Sequence, residues 1–391
     1  MPRPSTTISC LLALASAVSA QTTHLVGPGG FAQIRDALAI AAPGDVLDVQ
    51  PGTYAHFSAT VGVTIRAQVP GTVLVEFDPS LTSPGCASNP ACALAEGPTR
   101  LAPPAGQVVH CIGLEFRPTV AGWARHRVVV GSGTATFDQC TLRTSELDAL
   151  RVENARVHLQ SCTVGSFGTG SGGCAISATS AALTAVDCAF TGAASASIPG
   201  PAVRLRTAQL QGNRVTLTGG AQLFGGPAAA ALDLDATSAA WLGDAHLLSS
   251  NTGCAIVGGG GGWLARTTIS PGLPTCGSLP FGTLVGIDSG TPLLAGAPFA
   301  VAFRGAPNQI VAVFASAGLG HLPLPGLTDQ PLTLDLGSTW LAAAVLTDAL
   351  GNAAVQWTLP AGAGGLPLFV LGAALQPNTL GLSPPLGGVV R

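Results

Sequence analysis

The 391-residue sequence contains no lysine and few charged side chains of any kind. Asp, Glu, Lys and Arg make up 9% of the residues, all sixteen basic residues are arginine, and the formal net charge is −3. With no basic cluster, the chain lacks the electrostatic footprint of a nucleic-acid-binding protein. The low charge does not indicate disorder, because 47% of the residues are hydrophobic. The 52 glycines favour short strands joined by tight turns.

Long apolar runs are also scarce beyond the N-terminus. No later segment reaches the ~18 uninterrupted apolar residues that a membrane-spanning helix needs, so no transmembrane segment is predicted. The start, MPRPSTTISCLLALASAVSA, combines a basic Arg3, an apolar stretch and small residues up to Ala20. This pattern is typical of a secretory signal peptide. We therefore expect residues 1–20 to be cleaved near Ala20, and the mature protein to be secreted, periplasmic or at the cell surface.

The middle of the sequence is an internal repeat. Units that begin at residues 149, 175, 202, 231 and 255 lie 24 to 29 residues apart, and each has two alternating strands around a polar break. Short strands at a fixed period, with no helix between them, predict a parallel β-helix in which each coil stacks on the last.

The repeat defines two columns of equivalent residues, which should point inward because residues two apart on a strand face the same side. The first column contains Cys140, Cys162, Cys188, Val215, Ala245 and Thr267. The second contains Leu142, Val164, Phe190, Leu217, Leu247 and Ile269. Buried cysteine behaves as a small hydrophobe, so the three cysteines are expected to be reduced and stacked, not to form a redox relay.

The segment FAQIRDALAIAAPGDVLDVQPGTY, which begins at Phe31, places apolar residues at helical spacing before a short strand between two Pro-Gly corners. It resembles the N-terminal entry of pectin-lyase-like right-handed β-helix proteins. The resemblance implies an all-β fold, with a right-handed parallel β-helix over residues 21–285 of about nine or ten coils. An amphipathic helix near residues 31–41 would cap its open end. This fold hosts enzymes and inert adhesins alike, so it does not define a function.

The last part of the chain, residues 286–391, is predicted to be a small antiparallel β-sandwich, since strand-like runs alternate there with turn signals. The order TDALGNAAVQWTLP, GLPLFVLGAALQP, GLSPP is similar to a C-terminal module of exported planctomycete-type bacterial proteins. The resemblance implies a structural or surface-attachment role.

Catalytic motifs are missing. The sequence has no Gly-x-Ser-x-Gly, phosphate loop or zinc signature. The glycine run 258–262 has no following lysine and is interpreted as a corner between strands. His158 and His246 lie three coils apart, too far to share a metal ion, so no metal site or cofactor is predicted.

The signatures of β-helix polygalacturonases (Asn-Thr-Asp, Asp-Asp and Gly-His-Gly) are also absent. The sequence therefore favours a non-catalytic structural or carbohydrate-binding protein, whose partner would be polysaccharide or cell-surface material. The alternative is a divergent polysaccharide lyase or glycoside hydrolase acting on an acidic polysaccharide, and this alternative alone would use Ca²⁺. The oligomeric state is not indicated.

One outer face carries the candidate ligand-binding residues, which alternate with the apolar positions of the repeat. They are Arg151, Glu153, Arg204, Arg206, Asp233 and Asp235. Arginine can hold a uronate carboxylate through two hydrogen bonds. Under the enzymatic alternative, Arg204, Asp233 and Asp235 are the candidate catalytic residues. The competing interpretation is a surface ion-pair ladder, with Arg204 one coil from Asp233 and Arg206 one coil from Asp235.

Nine cysteines remain after the signal peptide, so at least one thiol stays unpaired within the chain. Cys86 and Cys92 flank a short loop and are predicted to be bridged. Cys254 and Cys276, one coil apart, are the second candidate pair.

Overall fold

The chain is described from a computed structural model that covers most of the sequence. The described residues are 21–77, 98–118, 127–145, 147–167, 172–195, 198–223, 228–249, 254–270, 276, 279, 285–289, 293–322, 324, 328, 330–375 and 380–390. The signal-peptide prediction and the Cys86–Cys92 prediction lie outside them.

The first part of the chain is a parallel β-solenoid whose strands form three sheets. Sheet A contains Thr23–Val26, Val46–Val49, Thr64–Ala67, Val108–Ile112, Gly133–Asp138, Ala155–Gln160, Ala182–Val186, Gln209–Asn213, Ala239–Gly243 and Gly261–Ala265. Sheet B contains Gly52–Ala55, Val73–Glu76, Leu114–Arg117, Thr141–Thr144, Thr163–Ser166, Ala189–Thr191, Thr216–Thr218, His246–Leu248 and Thr268–Ser270. Sheet C contains Ser58–Ala59, Thr99–Leu101, Val128–Val130, Leu150–Glu153, Ile176–Thr179, Val203–Arg206, Leu232–Leu234 and Ile256–Gly258.

Each turn of the solenoid passes through sheets A, B and C in that order. Eight complete turns run from Val46–Val49 to Ile256–Gly258, and two further strands follow. The expected nine or ten coils were therefore too many. The reason is that the interval between successive strands is not uniform: it is long between Val73–Glu76 and Thr99–Leu101, so fewer coils fit than a uniform period predicts.

The predicted inward columns are confirmed. Leu142, Val164 and Phe190 are in register in sheet B and fully buried, and the column continues to Ile269. The three column cysteines are buried and free. Parallel stacking of like apolar residues thus forms one continuous core along the axis.

Single residues in the left-handed conformation make the sharp corners between sheets. Between sheets A and B these corner residues have φ of 48° to 55° in six successive turns. They are Gln139, Ser161, Asp187, Arg214, Asp244 and Arg266. Between sheets C and A the corner residues are Asn154, Ser180 and Thr207. A one-residue turn leaves no room for a loop, so these corners keep the coils in strict register.

The N-terminal helix is shorter than predicted, spanning Ile34–Leu38 instead of residues 31–41. Ile34 and Ala37 are fully buried, while Phe31 and Ala41 pack on the core from non-helical backbone. One and a half helical turns suffice to place two apolar side chains over the open end of the solenoid.

The C-terminal part consists of antiparallel sheets. One contains Gly286–Ser289, Pro298–Arg304 and Asn352–Thr358, and a second contains Ile310–Ser316, Thr339–Leu346, Pro367–Leu375, Leu380–Leu382 and Leu386–Val389. A two-stranded sheet pairs Leu319–Leu322 with Leu332–Leu334, and short 3₁₀ helices span Leu336–Ser338 and Ala361–Ala363. Cys254 and Cys276 form a disulfide, as predicted.

These C-terminal sheets, hereafter the C-terminal module, pack on the outer face of sheet A. His158 lies there, buried to 1% exposure against the Phe369 ring at 5.5 Å, with Nε2 donating to the Gly387 carbonyl at 3.3 Å. The Gln211 amide donates to the Pro331 carbonyl at 3.0 Å. Val186 joins the hydrophobic core of the module. The His158 side chain lies on the outer face of sheet A, and the C-terminal module shields it from solvent.

No helix in the described part of the chain is long and apolar enough to cross a membrane.

Candidate functional site

The outer face of sheet C carries the predicted candidate residues, and the register brings them together. Arg151, Ser177, Arg204 and Asp233 occupy one column over four successive strands. Adjacent parallel strands are ~4.8 Å apart, so these side chains are close neighbours. The alternation of buried and outward positions places them all on the surface side.

The ion pairs on this face differ in part from those expected. The Arg204 Nε donates to Asp233 Oδ2 at 3.1 Å, as predicted. Arg206 was expected to pair with Asp235, but its Nη2 donates to the same Asp233 oxygen at 2.8 Å. Because the strand Leu232–Leu234 ends before Asp235, that residue leaves the ladder. Arg151 pairs with Glu153 on its own strand.

Asp235 stabilises the next corner. Its carboxylate accepts from the Thr207 N–H at 2.9 Å and from the Ser238 hydroxyl at 2.7 Å. Burial tends to raise the pKa of Asp235, but hydrogen bonds from Ser238, Thr237 and Thr207 lower it to about 2. Thr207 is a β-branched residue with φ of 52°, a conformation that such residues rarely adopt. The ionised Asp235 therefore helps to hold a strained turn.

Two further arginines belong to the same face and were not among the predicted residues. Arg100 precedes Arg151 by two strands in the same column, and Arg127 lies beside Arg151 at the start of a strand. Burial, reinforced by the charge of Arg151, lowers the pKa of Arg127, and its Nε has no hydrogen-bond partner among the described residues. The alternation Thr99-Arg100-Leu101 matches Leu150-Arg151-Val152 and was the signal that could have revealed Arg100.

The sheet C face is defined here as Arg100, Arg127, Arg151, Glu153, Arg204, Arg206 and Asp233. Its arginines are partly exposed, with side-chain exposures of 44% for Arg151, 37% for Arg204 and 40% for Arg206. Guanidinium groups in this setting can bind carboxylate or sulfate groups of a ligand. Within the described ranges, no group of three or more His, Cys, Asp or Glu residues could hold a metal ion.

A concave region, hereafter the junction cleft, lies where the C-terminal module meets the corner between sheets C and A. It has a volume of about 640 Å³. Its polar lining residues are Ser132, Thr134, Asn154, Arg156, Ser180, Thr207, Gln209 and His321. The cleft was not predicted, because its wall includes His321 of the C-terminal module, whose packing on the solenoid the repeat pattern does not encode.

No protein-family model matches this chain, and no curated protein matches it in sequence.

Proposed function

We propose that the protein is an exported, non-catalytic β-helix module that binds acidic polysaccharide through the sheet C face. The observation that carries this proposal is the excess of arginine on that face, where five guanidinium groups accompany three carboxylates, Glu153, Asp233 and the adjacent Asp148. In a chain of net charge −3, such an excess is a local property of one surface.

The arrangement of the charges suits an extended polyanion. Glu153 and Asp233 pair with neighbouring arginines, and five guanidinium groups outnumber the three carboxylates, so a ligand would meet net positive charge. The arginines recur along the solenoid axis with the ~4.8 Å spacing of the strands. A polymer lying along the axis would meet a new cation every one or two turns, and each contact would add to binding as in any multivalent interaction.

The acidic residues are poorly placed for glycoside hydrolysis, which needs one protonated carboxylic acid and one carboxylate. Asp235 has a pKa of about 2 and holds a turn, so it is ionised at neutral pH. Asp233 contacts two guanidinium groups. These contacts disfavour an acid–base role for both residues.

The test is binding of polygalacturonate to the mature protein, measured by isothermal titration calorimetry at two salt concentrations. The double variant Arg204→Gln/Arg206→Gln should bind at least about tenfold more weakly, since each lost charge-assisted contact is worth about 1.5–3 kcal/mol before screening. Arg143→Gln is the matched control, because Arg143 is exposed on sheet B. Equal affinity of the double variant and the wild type would refute the proposal.

Arg127 is the specific observation in favour of the alternative, a divergent polysaccharide lyase. A lyase needs a base to remove a proton next to the uronate carboxylate. A lowered pKa makes the neutral form of Arg127, which is the form that can act as a base, easier to reach. Release of unsaturated products from polygalacturonate, measured with and without added Ca²⁺, separates the two functions. Product formation that disappears in Arg127→Lys while binding persists would establish the lyase.

A further inference from the structure

The junction cleft is bounded by both parts of the molecule. Its floor is the outer face of sheet A in three successive turns, where Arg156, Ala182 and Gln209 are neighbours in register. His321 of the C-terminal module forms part of the opposite wall. A volume of about 640 Å³ is within the range of ligand-binding clefts in proteins.

Arg156 is the one arginine in this lining, and it has no counter-ion among the described residues. It is exposed, and none of the described residues forms an ion pair with it. No carboxylate occurs among the residues that line the cleft. Arg204 and Arg214, by contrast, each pair with an aspartate. An unpaired guanidinium in a cleft attracts an anion, and a single positive charge is matched by a monoanion such as a carboxylate.

The rest of the lining is polar and neutral. The corner residues Asn154, Ser180 and Thr207 are exposed along one rim in successive turns, about 4.8 Å apart. Gln209 Oε1 and His321 Nδ1 have no hydrogen-bond partner among the described residues. The terminal torsions of both side chains are soft, so a ligand can turn these atoms toward itself. Burial and the charge of Arg156 lower the pKa of His321, which keeps the imidazole neutral.

We propose that the junction cleft is a second binding site, which takes a short acidic oligosaccharide. One sugar carboxylate binds Arg156, and hydroxyl groups bind Gln209, His321 and the corner residues. The proposal shares the ligand class of the proposed function but uses different residues. The cleft can therefore bind its ligand even if the sheet C face binds nothing.

The experiment compares binding of trigalacturonate and of its neutral methyl ester to the full mature chain by calorimetry. The wild type should bind the acid, Arg156→Ala should bind it at least about tenfold more weakly, and Arg156→Lys should fall between them. Arg143→Ala, an exposed arginine on sheet B, should bind like the wild type. The double variant Arg204→Gln/Arg206→Gln should retain trimer binding, which separates this site from the sheet C face.

A second measurement needs no variant and therefore does not depend on folding of the mutants. Phenylglyoxal modifies accessible arginines, and mass spectrometry reads each position. Trigalacturonate should protect Arg156 and leave Arg143 reactive, whereas the methyl ester should protect neither. Unchanged modification of Arg156 at saturating trimer, or equal trimer affinity of Arg156→Ala and wild type, would overturn the proposal.

Discussion

The column cysteines make the same local contact in successive coils. Cys162 Sγ donates to the Gln160 carbonyl at 3.2 Å and Cys188 Sγ to the Val186 carbonyl at 3.1 Å, in each case across the left-handed corner residue. Thr267 makes the same contact through its hydroxyl, to the Ala265 carbonyl at 3.2 Å. The thiol is thus used as a small apolar group with a weak donor. This local role explains why cysteine and threonine can both occupy a column that also contains valine and alanine.

The first prediction concerns these thiols. Native protein treated with N-ethylmaleimide should leave Cys140, Cys162 and Cys188 unlabelled, because burial raises the pKa of Cys140 and Cys162 well above the usual value and the thiolate is the reactive form. The same protein unfolded in guanidinium should be labelled at all three positions. Peptide mass spectrometry measures both states, and fast native labelling of the column would contradict the assignment.

At the scale of elements, the glycine run 258–262 is a strand-to-strand corner, as the sequence indicates, but its glycines are not equivalent. Gly262 lies in a sheet A strand with φ of 116°, and a Cβ there would come within 1.9 Å of the Ala240 carbonyl oxygen. Gly259 has open space around the same position. Gly258, with φ of 105° and a Cβ position 1.7 Å from the Leu234 carbonyl oxygen, is constrained in the same way, so the run combines positions that require glycine with one that does not.

The second prediction follows from this difference. Gly262→Ala should lower the free energy of unfolding by about 2 kcal/mol or more, because it adds both a backbone clash and a strained φ. Gly259→Ala is the matched control and should stay within about 0.5 kcal/mol of the wild type. Urea titrations followed by circular dichroism measure both, and equal midpoints for the two variants would refute the explanation.

The periodic elements were predictable from the sequence, whereas contacts between distant segments were not. The column from Leu142 to Ile269 follows from an alternation of period two, which backbone geometry imposes. Arg206 pairs with Asp233 because the strand Leu232–Leu234 ends before Asp235, and the alternation does not encode that strand end. The C-terminal module covers His158 and Gln211. Both residues are polar, so the sequence pattern around them is that of a solvent-exposed face. Their burial depends on carbonyl partners that lie 120 or more residues away.

At the scale of the whole molecule, a ladder of alternating histidine and threonine lies on the outer face of sheet A. His110 Nδ1 is 2.7 Å from the Thr136 hydroxyl, and His158 Nδ1 is 2.8 Å from the Thr184 hydroxyl. Burial lowers the pKa of both histidines to about 4, from an ordinary value of 6.5. The nearby Gly387 carbonyl accepts from His158 and only partly offsets this effect.

The third prediction is the resulting pH dependence of stability. Between pH 6.5 and pH 4 the unfolded chain binds protons at these histidines and the folded chain does not, so stability is highest above pH 6.5 and falls on acidification. The loss approaches about 3 kcal/mol per histidine near pH 4. His158→Gln should weaken the dependence, whereas His246→Gln, which alters an exposed residue, should not. Urea unfolding across this pH range measures the stability. Parallel curves of stability against pH for His158→Gln and the wild type would contradict the prediction.

The packing of the C-terminal module on sheet A has a consequence for how the molecule unfolds. In a solenoid each coil touches only its neighbours, so unfolding can in principle start at any boundary and spread one coil at a time. Here the C-terminal module contacts Gln160, Val186, Asn213 and Asp244, which belong to four successive turns. Opening any of these turns requires release of the module. The module therefore couples a one-dimensional array into a single cooperative unit, and fraying is confined to the coils that precede it.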